Sequence, residues 1–64
     1  MNRKMKALRN RRTILQALRM DARFTLPSGA ITQAELDARI VSAETLFADR
    51  GCPMTAADRA FIGH

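Results

Sequence analysis

The amino-acid sequence predicts an all-α fold, a small three-helix domain. Three observations carry that prediction. Apolar residues recur at helical spacing in two long segments. Two Thr-x-x-acid motifs stand where helices would start, Thr32 to Glu35 and Thr55 to Asp58. Every Pro and Gly falls outside these segments. The expected elements are a long basic helix over 7–22, a loop or tiny hairpin over 24–31, a helix over 33–50 and a short helix over 56–62. A chain of 64 residues supports one domain, 1–64.

Residues 1–6 are basic and polar apart from two Met, and are expected as a flexible arm or the loose first turns of a helix. In the first helix Leu8, Leu15, Leu18 and Ala22 recur at spacings of seven, three and four, and Ala7 and Ile14 widen the face. Lys4 and Arg11 fall inside the same arc, so firm burial is expected to begin near Ile14. Pro27-Ser28-Gly29 is a turn signal. Phe24 to Leu26 and Ala30 to Ile31 offer only two or three residues per arm, which favours an irregular loop tucked in by Phe24 and Leu26.

The second helix has the clearest start. The Thr32 hydroxyl can accept from the Glu35 amide while the Glu35 carboxylate reaches back to the Thr32 amide. Ile31 before the cap and Leu36 beyond it make a hydrophobic staple. Leu36, Ile40, Ala43 and Phe47 form the inward stripe, with Leu46 beside it, and Glu35 and Arg39 are placed to pair. Gly51 is the expected stop and Pro53 prevents resumption. Thr55 and Asp58 repeat the cap, and Met54, Ala57, Phe61 and Ile62 are candidates for the inward side of the third helix.

A chain this short buries roughly 60% of its unfolded surface. Cys52 is the single cysteine, so no disulfide supports it, and Cys52 with His64 cannot supply the four ligands of a structural zinc site. Self-association is the remaining support, and a homodimer is expected. No run of about 18 apolar residues crosses a membrane and no signal-peptide pattern opens the chain, so a cytoplasmic setting is expected. No cofactor motif is present and an enzyme is not expected. His64 is terminal, Cys52 follows a helix C-terminus whose dipole disfavours a thiolate, and the three Gly are scattered. Asp37 and Glu44 read as a solvated face.

Charge is what exceeds the ordinary. The first 23 residues carry eight bases and one acid, whereas the remainder carries three bases and five acids. Arg9, Arg12, Gln16, Arg19 and Arg23 are spaced three, four, three and four, which places them on one side of the first helix beside its apolar stripe. Guanidinium forks match phosphate oxygens, and counterion release supplies binding free energy. The row extends over roughly 20 Å at 1.5 Å per residue, enough for several phosphates. Trp and Tyr are absent, so stacking platforms for single strands are few.

Two segments resemble repressor-type helix-turn-helix domains. Ile31-Thr32-Gln33-Ala34-Glu35-Leu36 is similar to the opening of their second helix, and Val41-Ser42-Ala43-Glu44-Thr45-Leu46 to the start of their recognition helix. Ile14-Leu15-Gln16-Ala17-Leu18 is similar to the first helix of winged variants. The likeness stops at the turn: Ile40 runs straight into Val41, so one continuous helix is expected, and its acids Glu44 and Asp49 do not suit a phosphate-lined groove.

The expectation is therefore a small basic nucleic-acid-binding regulator of bacterial, plasmid or phage type, with DNA as the favoured partner. Arg9, Arg12, Arg19 and Arg23 would contact phosphates, helped by Arg3, Lys4, Lys6 and Arg11, and Gln16 is a candidate base-edge contact. The alternative is a protein-interaction module, an inhibitor or adaptor docking on an acidic protein surface. Met1, Met5 and Met20 suit an adaptable contact of that kind. A membrane surface is disfavoured, because the leucines of the first helix are needed for the core.

Overall fold

A computed structural model describes the backbone of residues 3–63 and the side chains of residues 11–63. It contains three helices, α1 (Arg3–Met20), α2 (Gln33–Asp49) and α3 (Ala56–Ile62), and no strand among the described residues. The first helix begins earlier than expected, at Arg3, and its α-helical part ends at Met20, two residues short of the expected bound. Residues 3–6, read from the sequence as an arm or the loose first turns of a helix, are helical. Beyond Met20 the chain continues as a π turn, Asp21–Thr25, in which the Leu26 amide donates to the Asp21 carbonyl at 2.8 Å. Pro27 explains why an α-helix cannot simply run on. It has no N–H to give, and its ring would press on the carbonyl of residue 23. A turn of five-residue hydrogen bonds relieves that pressure.

No hairpin forms over 24–31. The segment is a wide turn held by backbone bonds from Ser28 to Phe24, Gly29 to Leu26 and Ala30 to Thr25. Leu26 packs against the core, but Phe24, expected to tuck in, is 61% exposed.

Both capping boxes are formed. Thr32 and Glu35 exchange two bonds of 3.1 Å, and Thr55 and Asp58 exchange bonds of 3.0 and 3.1 Å. At the other end of α2 the Gly51 amide donates to the Ala48 carbonyl and the Cys52 amide to the Phe47 carbonyl. That Schellman closure needs a left-handed residue, and Gly51 supplies it at φ 77°. α2 runs unbroken through Ile40 and Val41, as the absence of a turn signal there predicts. Gly63, at φ 79°, ends α3.

α1 and α2 are antiparallel: Arg11 meets Phe47 at one end, and Asp21 meets Arg39 at the other. α3 lies alongside α1 in the same direction, with Asp58 beside Arg11 and Phe61 beside Arg19. The core joins Leu15 and Leu18 of α1, Ile31, then Leu36, Ile40, Ala43 and Phe47 of α2, and Ile62 of α3. Leu36 is fully buried, and truncating such a side chain to Ala costs about 2–5 kcal/mol.

Two sequence readings need correction. Ile62, at 2% exposure, is the inward residue of α3, whereas Phe61 is 39% exposed and Ala57 faces solvent. Arg39 pairs with Asp21 at 2.8 Å, not with Glu35, whose carboxylate is committed to the Thr32 amide. The expected core positions Ala7 and Leu8 lie outside the described side chains. No helix among the described residues is long and apolar enough to cross a membrane.

Candidate nucleic-acid interface

α1 holds the cations because it is a long helix with one side on the core. Leu15 and Leu18 anchor that side, and residues a third of a turn away must then point along the edge or outward. Arg12 and Gln16 are exposed, Arg19 is half-buried, and Arg23 is exposed in the π turn. Arg3, Lys4, Lys6 and Arg9 belong to the backbone of α1, and their side chains lie outside the described residues.

Arg11 is used differently. Its guanidinium pairs with the Asp58 carboxylate and donates to the carbonyls of Cys52 and of Pro53, the latter at 3.0 Å. It also lies 4.7 Å from the centre of the Phe47 ring. One side chain thus ties α1 to the end of α2, to the connection and to the first turn of α3. Its surroundings do not favour the contact role expected of it. The sequence held the clue, since Arg11 sits within the apolar arc.

Asp58 is the partner of Arg11 and at the same time completes the capping box of α3, whose N-cap is Thr55. The Thr55 amide holds its carboxyl below the ordinary carboxylate range. Partial burial opposes that shift, and the hydrogen bond and charge of Arg11 add to it.

Arg19 stacks on Phe61, its guanidinium carbon 4.7 Å from the ring centre. The stack explains why an aromatic at 61 stays outside the core. A cation over an aromatic face is attracted by the ring quadrupole, which restrains the guanidinium. Arg19, Ala22 and Arg23 line a recess with residues 60–63, and Arg12 lines another with Leu15, Ala57, Asp58 and Phe61. The row therefore borders the α1–α3 seam.

Acids distribute unevenly over these bases. Arg11, Arg39 and Arg59 each have a carboxylate, from Asp58, Asp21 and Glu44. Arg12, Arg19 and Arg23 form no ion pair among the described residues, and Arg50, at the end of α2, forms none either. No family model matches the chain, and comparison with curated proteins and with solved structures finds no match.

Proposed function

We propose that this chain is a small basic nucleic-acid-binding regulator, acting in the cytoplasm, that contacts phosphates along α1. The observation supporting this reading is selective neutralisation. Arg11, Arg39 and Arg59 are paired, Arg50 is not, and Arg12, Arg19 and Arg23 form no ion pair among the described residues over about 16 Å of helix. Arg19 lies over the Phe61 ring, a contact that reduces the entropy lost when its fork meets a phosphate. Gln16 stands exposed between Arg12 and Arg19 as the candidate base-edge contact. DNA is the favoured partner, and the role is binding, not catalysis. The proposal includes a homodimer through the outward face of α2, where Val41 is 60% exposed on a side shared with Ala34, Ala38 and Ala48.

Titration of duplex DNA at several salt concentrations tests the reading. Three phosphate contacts predict that log K falls with log salt at a slope of about −3 or steeper. Arg12→Glu together with Arg19→Glu should abolish retention while the circular dichroism stays that of the wild type. A flat salt response, or retention by the double variant, would refute phosphate contact by α1. Val41→Glu should shift the sedimenting species to monomer.

A second reading, docking on an acidic protein surface, is favoured by a different observation. Met20 is 47% and Phe24 61% exposed, and phosphate contact gives neither a role.

A further inference from the structure

The outward side of α1 has its own pattern, next to the cationic row. Thr13, Ala17, Met20 and Phe24 follow one another at spacings of four, three and four. Thr13, Gln16, Ala17 and Met20 are related as i, i+3, i+4 and i+7, the four residues that frame a hole for a knob from a facing helix. The short side chain of Ala17 leaves a shallow recess there, lined by Arg12, Thr13, Gln16 and Ala17. Ala17, Met20, Asp21 and Phe24 frame a second hole one turn further on. Phe24 lies in the π turn, and it and Met20 are large apolar residues exposed at 61% and 47%.

The borders of the stripe identify the charge of its occupant. Arg12 and Arg23 stand along one border, exposed and without an ion pair among the described residues. The other border holds Asp21, whose carboxylate is neutralised by Arg39 at 2.8 Å. The uncompensated charge is therefore positive. A second copy of the chain fits poorly. Antiparallel pairing about Ala17 sets Arg12 of one copy against Arg23 of the other, and parallel pairing brings two strongly basic first helices together. A membrane surface fits poorly too, because Gln16 and Thr13 interrupt an apolar face that is only about 16 Å long.

We propose that this face of α1 and its π turn, centred on Ala17, Met20 and Phe24, is a docking site for an acidic amphipathic helix of a partner protein. Leucine-sized knobs of that helix enter the two holes, and its carboxylates meet Arg12 and Arg23. The proposal rests on the second reading above. It shares Arg12, Gln16 and Arg23 with the nucleic-acid reading and adds Met20 and Phe24, which that reading does not use, so substitution of those two residues separates the readings.

Two synthetic 18-residue peptides of identical composition test it. One carries Leu at i, i+3, i+4 and i+7 bordered by Glu, and the other is scrambled. The amphipathic peptide should bind at least tenfold more tightly than the scrambled one. It should shift the amide resonances of Ala17, Met20 and Phe24 and leave those around Val41 in place. Met20→Ser with Phe24→Ser should weaken the peptide at least tenfold and change duplex retention less than twofold. Equal binding of the two peptides, or resonance shifts centred on α2, would overturn the proposal without touching the nucleic-acid reading. So would a dimer, or binding to anionic phosphatidylserine vesicles, that the double serine variant abolishes.

Discussion

Arg11 and Arg12 are adjacent residues of α1, separated by about 100° around its axis. Arg11 turns into the seam of three helices, where its side chain keeps 16% exposure and meets a carboxylate, two carbonyls and a ring. Arg12 turns outward to solvent and meets no carboxylate among the described residues. A single count of basic residues would treat them alike. The difference teaches that polarised charge on a small helical protein has two components. One is consumed in holding the helices together, and the other is left on the surface.

Substitution at 11 is expected to have the larger effect on folding. Arg11→Ala leaves Asp58 partly buried without its cation and frees two carbonyls, a loss of about 2–3 kcal/mol. For a domain of this size, that lowers the thermal midpoint by more than about 10 °C. Arg11→Lys should recover only part, since an ammonium cannot span carboxylate and carbonyls as a planar fork does. A melt of Arg11→Ala that matches the wild type would erase the distinction between the two residues.

Acid sharpens the same contrast. The Asp58 carboxyl is held low by the Thr55 amide and by Arg11, so the folded chain takes up this proton at lower pH than the unfolded chain. The stability it contributes is complete above about pH 4 and is lost as pH falls further, through the folded value. Asp58→Asn keeps a capping side chain and removes the titration. Its stability should fall by about 1 kcal/mol at neutral pH and decline less steeply below pH 4, as read from urea midpoints across pH.

Smaller effects come next. Arg39→Ala breaks a pair in which Arg39 is about half exposed, so its cost stays below about 1 kcal/mol. Arg12→Ala should change stability by less than about 0.5 kcal/mol. If it melts much lower than Arg39→Ala, Arg12 has a structural role and the surface reading fails at its first residue.

The elements that were legible from sequence are those with local chemistry. The bounds of α3 followed from Thr55, Asp58 and Gly63, and the start of α2 from Thr32 and Glu35, because each signal lies within four residues of its partner. What was not legible depended on distant groups. In seven residues the wheel cannot choose between Phe61 and Ile62; Arg19 chooses by taking Phe61. Asp21, far along the chain, draws Arg39 away from Glu35. The π turn has no local signature that separates it from an ordinary helix end before Pro27. For the site, the spacing of the row was visible. The use of Arg11 as a clamp, and the apolar stripe beside the row, required the packed helices.

The clamp also has a bearing on the order of events in folding. Arg11 bonds residues 41, 42 and 47 positions away, and closing such long loops is entropically costly. α3, with seven residues, is too short to be helical alone. The α1–α2 hairpin with its hydrophobic seam is thus expected to assemble first, and α3 to dock last, when Asp58 reaches the waiting guanidinium. In a chevron plot, changes at Arg11 and Asp58 should then accelerate unfolding and leave the refolding arm in place, whereas changes at Leu36 should slow refolding. The arginine would act as a latch on the finished molecule, governing how long it stays closed and not how quickly it closes.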